Sequence, residues 1–217
     1  MKTFLSIGTG PGMGIATARR FAQEGFRVIL SARNEGRVRA LADGLKTEGL
    51  NAEALVLDAS DTAAVAKLVT EVEEHYGPVD VLHYNAANIR KSDIADQPTS
   101  TFVPDLAVNI GGALVATQAM LPAMAKRAAG TILFTGGGFA LYPNPDFLSL
   151  SIGKAGVRAL ALGLFESAKA QGVHIGTVIV AANVAPGSEE ADAVAEHFWK
   201  LHSQPVDAWQ AEVNYSA

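Results

Sequence analysis

The sequence predicts a single α/β domain built as a doubly wound parallel sheet with helices on both faces. Three observations predict it. Short apolar runs alternate with amphipathic stretches of helical period along nearly the whole chain. A glycine-rich turn joins the first such run to the first such stretch. No repeat, linker or low-complexity tract divides the 217 residues, a length that one α/β domain can occupy. Strands alternating with helices need right-handed crossovers, which set parallel strands side by side and cover the sheet twice.

In chain order, Phe4-Leu5-Ser6-Ile7 is the first strand, and the segment carrying Ile15, Ala18, Phe21 and Ala22 is the first helix. Arg27–Ser31 is the second strand, followed by a helix near Asn34–Glu48 with Val38, Leu41 and Leu45 on one face. Ala52–Leu57 and Val79–His83 are the third and fourth strands, with a helix at Ala63–Tyr76 between them. A long helical region runs from Thr99 to Arg127, with Pro104 near its start and Pro122 bending its last part. Strand Thr131–Thr135, helix Ser149–Gln171 and strand Ile175–Val180 continue the alternation. Glu189–His202 reads as a last helix and Glu212–Tyr215 as an edge strand. The stripe of Ala191, Val194, Phe198 and Leu201 either faces the core or belongs to a short lid, about 184–205, over a ligand pocket.

Composition excludes several classes. Apolar residues make up 49% and charged ones 18%, a globular balance. Net charge is -5 without a basic run, which argues against nucleic acid or an anionic membrane as partner. No apolar stretch approaches the ~20 residues of a membrane span, and the start lacks a signal peptide's basic and small-residue marks. A soluble cytoplasmic protein is the expectation. Without cysteine there is neither disulfide nor thiolate metal site, and His174, His197 and His202 lack metal-ligand spacing, so no metal is expected. His83, at the end of a strand, reads as a packed residue.

The chemistry starts at Gly8-Thr9-Gly10-Pro11-Gly12-Met13-Gly14, between strand and helix. A helix N-terminus offers unpaired N–H groups and a partial positive charge, which suit a pyrophosphate, and glycines let phosphates approach without a Cβ in the way. The spacing is G-x-x-x-G-x-G (Gly8, Gly12, Gly14), with Met13 in the third glycine's place of the commoner G-x-G-x-x-G. Asp58 ends the third strand, where a carboxylate can accept from an adenine amino group or cap the next helix. Asn85-Ala86-Ala87 follows the fourth strand, Asn109 lies in Val108-Asn109-Ile110-Gly111-Gly112, and Lys154 opens the helix after the fifth strand.

With that glycine spacing, the chain resembles the short-chain dehydrogenase/reductase family over nearly its whole length. The family's N-A-G motif is matched by Asn85-Ala86-Ala87, its helix asparagine by Asn109 and its active-site lysine by Lys154. The resemblance implies a Rossmann-type domain that binds a nicotinamide dinucleotide through Gly8, Gly12, Met13, Gly14, Arg33, Asp58, Asn85, Ala86, Ala87 and Lys154. It implies catalytic positions at Asn109 and Lys154, with Lys154 on the nicotinamide ribose, Asn109 structural or catalytic, and Asn85 shaping the loop under the cofactor. It also implies a homodimer or homotetramer paired through the helices at Thr99–Arg127 and Ser149–Gln171, and a small-molecule substrate.

The departures are as informative. The family's acid, a tyrosine four residues before the lysine, is here Leu150, and the serine thirteen residues earlier is Gly137. The longer spacing of enoyl reductases lands on Phe147. Ser149 and Ser151 are poor acids near neutrality, which leaves Tyr84 and Tyr142 as the nearby phenols. The pocket is expected to be apolar, lined by Phe139, Tyr142, Phe147 and Leu150. At the end of the second strand, Ser31-Ala32-Arg33-Asn34 offers no carboxylate for ribose hydroxyls and an arginine that recognises phosphate, so NADP(H) is expected over NAD(H). Two functions follow: an oxidoreductase with a non-standard proton source acting on an apolar small molecule, or a catalytically weakened protein that binds the dinucleotide for sensing or structure.

Overall fold

A computed structural model describes residues 1–216. The strands are β1 (Thr3–Ile7), β2 (Arg27–Ala32), β3 (Ala52–Val56), β4 (Val81–Tyr84), β5 (Thr131–Thr135), β6 (His174–Val180) and β7 (Glu212–Tyr215). They form one sheet in the order β3-β2-β1-β4-β5-β6-β7. Every neighbouring pair is parallel, including the expected edge strand β7 on β6. All residues of β1, β4, β5 and β6 are buried, which is why these strands read as continuous apolar runs.

One layer of helices comprises α1 (Met13–Gln23), α2 (Glu35–Thr47) and the C-terminal α7 (Glu189–His202). Phe4, Phe21, Val38, Leu45, Val194, Phe198 and Leu201 share its core. The other comprises α3 (Thr62–Tyr76), α5 (Gly112–Arg127) and α6 (Leu148–Lys169), whose Val65, Leu68, Met120, Met124, Val157 and Ala161 pack under Leu5, Leu82 and Phe134. The stripe on α7 therefore faces the core. Strand order reverses direction between β1 and β4, and a ligand crevice opens beyond the carboxyl ends of strands at such a switch point.

Two expectations need correction. The region Thr99–Arg127 is not one uniform helix: α4 (Thr99–Leu106) passes through a π-helical turn, Ala107–Gly111, into α5. The cause is visible in Tyr84, whose hydroxyl donates to Val108 O at 2.6 Å and occupies the space where a side chain at Gly112 would lie. The second concerns apolar length. Thr99–Arg127 and Leu148–Lys169 are long and apolar enough to cross a membrane, contrary to the reading that no stretch is. Here both lie on the sheet, with one side buried in its core.

Candidate active site

A cleft of about 530 Å³ opens across the switch point. Its middle is the turn from β1 into α1. Gly8 has φ of +86°, and a Cβ on it would come within 2.4 Å of the Ala86 backbone, so only glycine lets the two loops meet. Gly8 N and Thr9 N donate to Ser31 O at 2.9 and 2.8 Å. Asn85 fixes the same turn from below: Nδ2 donates to Gly8 O at 2.8 Å, and Oδ1 accepts from Thr135 Oγ1 at 2.8 Å. Gly8, Met13, Asn85, Ala86 and Ala87 line the cleft, whereas Gly12 and Gly14 are not on its wall. Gly14 packs against Asn85 and Thr9.

Arg33, Arg37 and Asp58 line one end. Both guanidiniums are exposed, and among the described residues neither joins an ion pair. The cap of α3 is Asp61, which accepts from Ala64 N. Asp58 Oδ1 accepts from Ser60 N and Oγ at 2.9 and 2.8 Å. The Ser60 N–H bond, with the Ser60 hydroxyl and the Arg33 charge, holds its carboxyl below the usual range against burial. Arg37 was not singled out from sequence. Its signal is the cap at Asn34, whose side chain accepts from Arg37 N and so puts Arg37 in the first turn of α2, whose start lies on the cleft with Arg33.

At the inner end stand Thr135, Gly136, Gly137, Leu150 and Lys154. Lys154 Nζ donates to Thr135 O at 2.6 Å, and burial pushes its amine down to about 8. Gly137 is in extended backbone, φ −171°, and a Cβ there would touch Lys154 methylenes at an ordinary 3.5 Å. Nothing in the backbone forbids serine at 137. Leu150 is almost wholly buried. His83, buried below, is pushed down to about 3 by burial and then by the charge of Lys154, so it is neutral. The Thr135 hydroxyl donates to Asn85, so His83 Nε2–H donates to that hydroxyl at 3.0 Å.

The expected apolar lining is corrected: of Phe139, Tyr142, Phe147 and Leu150, only Leu150 is on the cleft wall. Phe139 and Phe147 stack on each other instead, centroids 5.5 Å apart. Neither phenol serves the cleft. Tyr142 is 80% exposed and off its wall, and burial pushes the Tyr84 phenol far up while Val108 O holds its proton.

Asn109 lies behind the wall, in the π-helical turn. Its Oδ1 accepts from Asn88 N at 2.6 Å, and Nδ2 donates to Asn88 O at 3.2 Å, clamping the loop after β4. One turn earlier Asp105, a residue the sequence did not mark, is wholly buried. It accepts from Arg90 Nε (2.7 Å), Gln97 Nε2 (3.1 Å), Ser149 Oγ (3.1 Å) and Asn88 Nδ2 (3.3 Å). Burial alone would raise this carboxyl, but the bonds from Arg90 and Ser149, the Arg90 charge and Asn88 hold it below the usual carboxylate range.

The family profile for short chain dehydrogenases matches residues 2–212. The chain belongs to that family. A short chain dehydrogenase of Pseudocercospora fijiensis is 31% identical over 193 residues, covering 88% of this chain and 60% of the relative. The Bos taurus dehydrogenase/reductase SDR family member 4 is 32% identical over 171 residues, covering 76% and 61%. The matches thus span about three fifths of these relatives' length. A short chain dehydrogenase structure from Mycobacterium smegmatis, 29% identical, superposes with a TM-score of 0.89 over 100% of this chain and 92% of its own. A metagenomic short-chain oxidoreductase solved with NADP, 24% identical, has the same fold at a TM-score of 0.90, covering 99% and 96%.

Proposed function

We propose that this short chain dehydrogenase is an NADP(H)-dependent oxidoreductase acting on a small molecule. The observation that carries the cofactor is the pair of free guanidiniums, Arg33 and Arg37, at a strand end without a carboxylate. A nicotinamide dinucleotide fits the residues present. Gly10, on the cleft wall with open space where a Cβ would lie, leaves room for phosphates, Asp58 Oδ2 is left to accept from an amino group, and Lys154 keeps an N–H for a ribose hydroxyl. When bound, the cofactor supplies or accepts hydride. The chain's own work is to seat it: Asn85 holds the turn, and Asn109 and Asp105 hold the Asn88 loop. NADPH should quench or enhance fluorescence at lower concentration than NADH, and equal affinity or a preference for NADH overturns the assignment.

Leu150 and Gly137 favour a second reading, a dinucleotide-binding protein without turnover. A panel of simple ketones with NADPH separates the two. Val103, Leu114, Ile152 and Leu162 expose apolar side chains on α4, α5 and α6, which supports a dimer or tetramer built on those helices. Light scattering at micromolar concentration that returns a monomer mass refutes this assembly.

A further inference from the structure

We infer that Lys154 is itself the proton donor of this site, delivering a proton from Nζ, directly or across one water, to the oxygen of a carbonyl-type substrate. The inference rests on the oxidoreductase reading and assigns Lys154 a task beyond the ribose contact that the resemblance implies.

Elimination leads to it. The ionisable side chains on the cleft wall are Arg33, Arg37, Asp58 and Lys154, and the first three stand at the far end from Leu150. The other proton-bearing groups around the inner end are occupied. Thr135 Oγ1 donates to Asn85, Ser149 Oγ to Asp105, and Ser151 Oγ to Phe147 O. Tyr84 is held by Val108 O, and His83 is neutral with its Nε2–H on Thr135. The nearest carboxylate of α4, Asp105, is saturated by donors, with Arg90 as its counter-charge.

Lys154 differs from all of these. An ammonium has three N–H bonds, and the one hydrogen bond found for it goes to Thr135 O. Among the described residues it has no carboxylate partner. Gly137 leaves its methylenes uncovered on one side, and Leu150 offers neither a competing donor nor an acceptor. Burial also brings its amine near neutrality, where an acid transfers a proton most effectively.

The step balances. As the substrate carbonyl carbon gains hydride from a reduced nicotinamide, its π pair moves to oxygen. One N–H bond of Lys154 breaks as the O–H bond forms, and water later returns the proton to the neutral amine.

Two measurements on the full chain test this. Competitive acetylation across pH, read by peptide mass spectrometry, should show Lys154 half-reactive near pH 8, about two units below ordinary lysines. Lys154→Arg keeps the charge on the ribose side but cannot release a proton. At saturating NADPH it should lose ketone reduction by about 100-fold or more. Adding Leu150→Tyr and Gly137→Ser to that variant should restore part of the rate. An ordinary lysine titration overturns the inference, as does a Lys154→Arg variant that keeps its turnover. So does an unmodified chain that binds NADPH but reduces no ketone of the panel. Failure to bind NADPH at all would instead strike the cofactor assignment of the preceding section.

Discussion

At one end of the cleft Arg33, Arg37 and Asp58 surround a turn that admits no side chain at Gly8, whereas at the other Lys154, beside Leu150 and Gly137, is the one ionisable side chain on the wall among the described residues. The difference lies in how each end is held. The Gly8 turn is fixed by backbone contacts between β1, β2 and the loop after β4, so changing it strains the fold. The inner end depends on single side chains in relaxed backbone, and Gly137 accepts a Cβ without a clash. The outer end can therefore be changed only at a cost to the fold, whereas the inner end can be changed one side chain at a time.

The strongest way to sharpen that contrast is to rebuild the inner end. With Lys154→Arg removing the donor, adding Leu150→Tyr and Gly137→Ser should raise carbonyl reduction by about 10²-fold, the lower end of what a positioned acid contributes, with NADPH affinity unchanged by the added pair. Steady-state rates and a fluorescence titration check both halves; a loss of NADPH binding would mean that the ends are coupled. Breaking the outer end should instead harm the fold. Gly8→Ala combines a positive φ with a backbone clash, and should cost on the order of 3 kcal/mol, seen as a lower denaturant midpoint together with lost NADPH binding. Arg33→Asp should weaken NADPH by about 1.5–3 kcal/mol and NADH much less, with stability unaltered because this side chain is exposed.

The smallest expected effect concerns the clamp behind the wall. Asp105→Asn should cost about 1–2 kcal/mol of stability near neutrality, measured by urea unfolding. Because the folded carboxyl lies below its ordinary value, its contribution is present above that value and fades as pH falls through the folded one. The gap between the two proteins should therefore close below about pH 4. A gap that stays constant down to pH 3 would show that the charge of Asp105 is not what the clamp uses.

Sequence made the layers legible because their signal is local. Runs such as Thr131–Thr135 are buried on both faces, and α7 carries its stripe at helical spacing. Boundaries slipped where tertiary bonds intervene. Val79 and Asp80 read as strand, yet β4 starts at Val81, while Asp80 uses its side chain and backbone to tie Thr3 and Thr131 together. The π-helical turn left no mark in the periodicity, since it answers to Tyr84 across the core. Phe139 and Phe147, expected on the pocket, stack on each other and leave the cleft wall. Asp105 looked like an ordinary helix residue because its donors come from separate segments, at Asn88–Gln97 and Ser149. The glycine turn, Arg33, Asp58, Asn85 and Lys154 are legible from their order and spacing together with the family resemblance, and all of them except Gly12 and Gly14 line one cleft.

Thr135 touches both ends at once. Its hydroxyl reaches Gly8 through the Asn85 amide, and its carbonyl holds the Lys154 ammonium. If the Gly8 turn seats a dinucleotide, that turn and the lysine's proton are parts of one thermodynamic cycle. Whatever factor a seated dinucleotide imposes on the proton affinity of Lys154 must return, unchanged, as the factor by which protonation alters dinucleotide affinity. A binding curve repeated across pH would thus read the ionisation of the inner end from the outer one, with no substrate present and no turnover required.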